Sequence, residues 1–204
     1  LEDPFEYRGI RDYQPQDDLK SINWKATART GDLKVNQKNY TSQKSVRIFV
    51  NLEDTGILKK EDCVEACLQI ATALLLLFLE QGMQVALYCN GIDTISGDPC
   101  ILEAGGGVRQ RNVCLQTLAR IDTAKPVQSF SELFAARMSD ASNALYTCFV
   151  SPNAYEDFAA FLLQYQYKHP DMEWFYPYSE STPPDPGEAL KSLITFISLR
   201  EESV

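Results

Sequence analysis

From residue 45 onward, short β-branched or aromatic runs alternate with longer stretches of helical spacing. "VRIFVN", Val46 to Asn51, predicts a buried strand. Glu61 to Gln81 predicts a long helix, with Glu61, Asp62 and Glu65 in the first turns, where the helix dipole favours negative charge. Gly82 is placed to end it, and its second half, apolar all round, predicts a covered central helix. "QVALYCN", Gln84 to Asn90, is the next strand, stopped by Gly91. "TISGDPCILEAGGG" predicts a hairpin-like excursion turning at Gly97 to Pro99 and at Gly105 to Gly107. Arg109 to Ile121 and Ser129 to Met138 have helical spacing, the second with Ser129 or Ser131 as its cap. Ala144 to Val150 is a strand, and Tyr155 to Tyr167 an amphipathic helix that ends near His169-Pro170. Met172 to Tyr178 is the last clear strand, Ser179 to Gly187 a loop, and Glu188 to Leu199 is open between helix and strand.

This alternation predicts an α/β fold: a doubly wound, mostly parallel, Rossmann-like sheet with helices on both faces. Ligands of such sheets gather at the strands' carboxyl ends, which directs attention to "NLEDTG", "CNG" and "VSPN". Residues 1–44 read as an entry segment that packs on the 45–204 domain. A short helix over Ser21 to Thr27 is expected there, capped by Asp17 and Asp18, and then a strand completing the sheet edge. On that strand Lys34 and Lys38 share one face because their separation is even.

Charge sharpens the division. The 204-residue chain has a formal net charge of -9. Residues 1–44 hold 8 Lys+Arg against 7 Asp+Glu, and residues 45–204 hold 11 against 21. The basic strip (Lys20, Lys25, Arg29, Lys34, Lys38, Lys44) is expected to lie on the acidic body. Trp24 and Tyr40 interleaved with these bases are ingredients of a nucleic-acid surface. The acidic body and the lack of a nucleic-acid motif speak against one, and no nucleic-acid partner is expected.

The six cysteines (Cys63, Cys67, Cys89, Cys100, Cys114, Cys148) fall mostly in apolar runs, as reduced, buried cysteines do. None carries a nucleophile motif, and His169 is the only histidine, so no enzyme is expected and a cysteine hydrolase is the weakest reading. Cys63 and Cys67 lack the second pair that a structural zinc site needs. "GGGVRQRN" lacks the ending of a phosphate-binding P-loop. The apolar run Ala71 to Leu79 is too short to span a membrane. Opening on "LEDPFEYRG" without Met, the sequence reads as a piece of a longer protein.

"GIRDYQPQDDLKSINWKATARTGDLKVNQ", Gly9 to Gln37, resembles the signature of the bacterial family catalogued as domain of unknown function fifty-eight. Arg11, Tyr13, Asp17, Asp18, Ile22, Trp24, Lys25, Ala28, Arg29, Gly31 and Leu33 match its pattern in order, while Gln16 stands where the family often has glycine. The resemblance implies a von Willebrand factor A-like domain after the signature and membrane-spanning helices before it. It also implies an interaction or assembly role beside a MoxR-type AAA+ ATPase, with this domain on the cytoplasmic face.

Domains of the von Willebrand A kind often hold a divalent cation at the end of the first strand, through an Asp-x-Ser-x-Ser motif. The resemblance places Asn51, Glu53 and Thr55 there, so Mg²⁺, which wants hard oxygen ligands, is the one cofactor to consider. A metal-dependent ligand-binding module is therefore the alternative to a metal-independent interaction module. Within the signature, Arg11, Tyr13, Asp17, Asp18, Trp24, Lys25 and Arg29 are the candidate partner contacts. Of these, Trp24 is expected to pack on the domain, and Arg29 to pair with a carboxylate or with carbonyls.

Overall fold

A computed structural model describes residues 7–14, 22–38, 45–53, 60–123, 128–138, 144–153, 156–169, 171–185 and 187–199. The chain divides into two units, residues 1–44 and 45–204.

In the first unit, β1 (Tyr7–Asp12) pairs antiparallel with β2 (Lys34–Lys38), and α1 (Trp24–Thr30) lies between them in sequence. The helix starts later than the Ser21 to Thr27 span read from the sequence. Its cap is Asn23, whose side-chain oxygen accepts from Ala26 N at 2.9 Å. Gly31 ends it in the left-handed conformation (φ 83°), donating its N–H to Thr27 O. Thr27 Oγ1 accepts from Lys34 N at 3.0 Å, and Asn23 N donates to Lys34 O at 2.8 Å, so the start and the middle of the helix are tied to β2. Ile22 and Val35 are buried and bridge one another. The strand expected to complete the larger sheet's edge instead forms a two-stranded sheet with β1. Lys34 on it is ion-paired with Asp12.

In the second unit the elements are β3 (Ser45–Val50), α2 (Glu61–Glu80), β4 (Gln84–Ile92), β5 (Pro99–Gly105), α3 (Gly107–Leu118), α4 (Phe130–Met138), β6 (Ala144–Val150), α5 (Glu156–Lys168), β7 (Met172–Tyr178) and β8 (Ile194–Ser198). The sheet order is β5-β4-β3-β6-β7-β8, with β5 antiparallel and every other pairing parallel. The segment left open between helix and strand is a short 3-10 turn, Lys191–Leu193, followed by the edge strand β8. β4 runs through Gly91 rather than stopping there. A side chain at Gly91 would meet Ile121 Cγ2 at 2.6 Å and Leu52 Cδ1 at 2.8 Å.

Alternation along the buried strands sends different chemistry to the two faces. Val46, Ile48, Val50, Val85, Leu87, Cys89, Cys148 and Val150 form an aliphatic and thiol layer against Val64, Cys67, Leu68, Ala71 and Leu75 of α2 and Cys114 and Leu118 of α3. Phe49, Tyr88, Phe149, Trp174 and Tyr176 form an aromatic layer against Phe130, Leu133 and Phe134 of α4 and Phe158, Leu162 and Tyr165 of α5. The sheet is thus doubly wound, as its sequence pattern predicts. An 18-residue window of α2, longer than its nine-residue apolar run, has a mean hydropathy of 1.9, enough in length and composition to cross a membrane. In this unit α2 is the core helix of the aliphatic layer.

The turn after β4 is held by a buried carboxylate. Asp93 Oδ1 accepts from Ile95 N at 2.7 Å, and Oδ2 accepts from Arg120 Nε at 3.0 Å. The Ile95 amide, together with Arg120 and the Ser96 amide, holds the Asp93 carboxyl below its ordinary value. A carboxyl lowered in the folded state contributes stability above its unfolded pKa, and this is lost as pH falls through the folded pKa. Asp93→Asn is therefore expected to lessen the acid sensitivity of unfolding below about pH 4. Urea midpoints measured across that range check this, and an unchanged acid slope in the variant would refute it.

Candidate functional site

β3 leads through α2 to β4 on one side, while β6 returns on the other side of β3. The break between β3 and β6 is the topological switch point, where doubly wound sheets gather ligands. The residues leaving the strands there are Asn51 to Glu53 and Ser151 to Asn153. Asn51, Leu52, Ser151 and Asn153 are buried.

Two asparagines organise this edge. Val50 and Cys89 are register partners, so Asn51, just past β3, and Asn90, within β4, lie side by side. Asn90 Oδ1 accepts from Leu52 N at 2.8 Å, and its Nδ2 donates to Asn51 Oδ1 and to Gln128 O, both at 3.0 Å. Asn51 Oδ1 accepts a second hydrogen bond from Glu53 N, also at 3.0 Å. Because both of its partners are donors, this atom is the oxygen, and the carboxamide cannot be flipped. Asn51 Nδ2 is left buried with no partner among the described residues. An enclosed, unsatisfied donor costs roughly 1–3 kcal/mol.

Glu53 reaches away from this pair. Its Oε1 accepts from Phe130 N at 2.7 Å, at the first residue of α4. That helix start was expected to be capped by Ser129 or Ser131, but their hydroxyls bond each other at 2.9 Å. A carboxylate suits the position because it meets the unpaired N–H groups and positive end of a helix. Glu53 and Asn90 together join the ends of β3 and β4 to the start of α4.

The two expected ligands that the structure describes, Asn51 and Glu53, are not arranged to hold a divalent cation. Asn51 Oδ1 has its lone pairs engaged by two donors, Asn51 Nδ2 offers hydrogens and no lone pair, and one Glu53 oxygen is committed to α4. Mg²⁺ needs several free oxygen ligands in octahedral array. Thr55, the third residue expected there, lies outside the described residues. Among the described residues no three His, Cys, Asp or Glu side chains stand together as metal ligands would.

The signature residues belong to the first unit. Arg11 lies in β1 opposite Val35, and Tyr13 donates its N–H to Leu33 O at 2.9 Å. Asp17 and Asp18 lie outside the described residues, and Asn23 does the capping assigned to them. Trp24 is 68% exposed. Lys25, Ala28 and Arg29 are exposed too, and no residue of α1 is buried. Trp24 and Ala28, and likewise Lys25 and Arg29, are four apart and neighbour each other on one face.

All six cysteines are free and buried. Burial pushes the thiols of Cys89 and Cys148 up to about 12 and that of Cys114 up to about 11. It raises Cys63, Cys67 and Cys100 as well. A nucleophilic cysteine needs the opposite shift and access to solvent. The ring of His169 stacks on Tyr165 at 4.4 Å.

Asn90 and Gln128 are the site residues that sequence reasoning missed, although "CNG" was among the strand ends singled out. The available signal was that both "VRIFVN" and "QVALYCN" end in asparagine.

Comparison with curated proteins finds no match. A family model does match, described as Protein of unknown function DUF58, and it spans residues 9–142, from the first strand through the helices that precede β6. With more than half of its 204 residues inside that match, the chain belongs to the DUF58 family.

Proposed function

We propose that this chain is a non-enzymatic protein–protein interaction module of a membrane-anchored bacterial protein. It works on the cytoplasmic face with a MoxR-type AAA+ ATPase. The observation that carries this reading is α1: a helix fixed at both ends by backbone and cap hydrogen bonds, with no residue buried, whose face presents Trp24, Lys25 and Arg29. Folding alone gives no reason to hold a tryptophan in water. Tryptophan and arginine are the side chains that dominate binding energy at protein interfaces. The buried, raised thiols support a role other than cysteine nucleophile.

The test is binding of the chain to the ATPase in its ATP, ADP and nucleotide-free states. Trp24→Ala and Arg29→Glu are each expected to weaken Kd by at least about 10-fold. Circular dichroism should be unchanged, because neither side chain is part of a core. Wild-type affinity in both variants, or no binding in any nucleotide state, would refute the proposal.

A further inference from the structure

We infer that the carboxyl edge of β3 is a receptor for an uncharged oxygen acceptor, an amide carbonyl, in place of a cation. The inference rests on Asn51 and its neighbours and is independent of α1. It begins with the fixed orientation of one carboxamide. Asn90 Nδ2 and Glu53 N both donate to Asn51 Oδ1, at 3.0 Å each. The amide nitrogen therefore turns away from Asn90 and from β4. It carries two N–H groups, is buried, and has no acceptor among the described residues. The neighbouring carboxamide of Asn90 has both amide hydrogens donated and its oxygen engaged by Leu52 N, so of the two carboxamides only that of Asn51 has an atom without a partner. That atom stands at the switch point between β3 and β6.

The sign of the missing group follows from the atom. A cation is repelled by N–H hydrogens, whereas an oxygen lone pair is what they lack. Its charge follows from the surroundings. Glu53 follows β3, Glu61 and Asp62 open α2, and Glu180 follows β7, all at this edge of the sheet. The cations described there are already paired, Lys60 with Glu180 and Arg120 with Asp93. Among the described residues a carboxylate ligand would meet net negative charge and no free counter-ion, whereas a neutral carbonyl needs none. An amide carbonyl, as in a main chain or a carboxamide side chain, meets both conditions.

The experiment follows the side-chain amide resonances of Asn51 in the full chain during separate titrations with Mn²⁺, N-methylacetamide and acetate. Saturable displacement by N-methylacetamide, with a smaller response to acetate and no localised broadening by Mn²⁺, is expected. Saturable Mn²⁺ broadening at Asn51 would overturn the inference in favour of a cation site. A response to none of the three, with only a bound water in contact with the amide, would overturn it in favour of an internally hydrated structural asparagine. A stronger response to acetate would overturn the uncharged assignment. Asn51→Asp replaces the unpaired donor with an acceptor. It is expected to lose the N-methylacetamide response and to acquire a Mg²⁺-dependent rise in Tm that the wild type lacks. The wild-type titrations decide the matter even if that variant fails to fold.

Discussion

Phe149→Ala is expected to destabilise the 45–204 unit by about 3–5 kcal/mol. Phe149 is fully buried in β6 and sits at the centre of the aromatic layer. Its ring is stacked on Phe49 at 5.5 Å. It also meets the edges of Phe158 and Phe161 of α5 at 6.4 and 6.3 Å and of Tyr165 at 5.7 Å. On α4 it meets Phe130 at 6.5 Å and Phe134 at 5.9 Å. Truncation removes the transfer energy of the ring and leaves a cavity that neighbours on a rigid sheet and two helices cannot fill. Urea unfolding followed by far-ultraviolet circular dichroism measures it. A loss below about 1 kcal/mol, the size of an ordinary substitution, would mean that the layer collapses around the gap.

Asn90→Ala is expected to cost about 3 kcal/mol or more, although it removes far less volume. It leaves Leu52 N and Gln128 O without their partner and takes one of the two donors from Asn51 Oδ1. Each enclosed polar group left unpaired costs roughly 1–3 kcal/mol. Asn90→Asp separates the roles of the two side-chain atoms. It keeps an acceptor for Leu52 N but turns an oxygen toward Asn51 Oδ1 and Gln128 O, where both contacts become repulsive. The aspartate variant is therefore expected to be no more stable than the alanine variant at neutral pH and to recover part of the loss as the carboxyl is protonated. Hydrogen exchange at the Leu52 amide should accelerate in Asn90→Ala. Near-wild-type stability in both variants would show that the network is not under tension from burial.

The strands at Val46, Ala144 and Met172 and the long helix from Glu61 are legible in the sequence, because a buried parallel strand is a continuous apolar run and a core helix a long one. The antiparallel excursion of β5 is legible through its turn residues. α1 starts three residues later than its sequence predicts, because two aspartates look like a better cap than Asn23. What decides its start is that Asn23 and Thr27 both bond to Lys34, which the local sequence does not display. Trp24 carries no local signal of its surroundings: a large aromatic side chain reads as core wherever it occurs, and its exposure on α1 is read only from the structure. At the candidate site, Asn51 and Glu53 are legible as polar residues at a strand end. Their partners are not, since Asn90 and Phe130 lie 39 and 77 residues away. The chemistry of the site reverses on that point, because whether Asn51 offers a lone pair or a hydrogen depends on which groups already face its oxygen.

The two tryptophans of the chain fall one in each unit, and their surroundings are opposite. Trp24 stands in water on α1, while Trp174 is wholly enclosed, with its indole N–H donating to Ser151 O at 3.1 Å. Each unit thus carries its own optical reporter. The emission of Trp24 lies to the red and is open to a dissolved quencher such as iodide, whereas that of Trp174 lies to the blue and is shielded. Excitation of the unlabelled protein yields two separable signals, one that senses whatever comes to rest on the signature helix and one that is silent until the α/β unit opens.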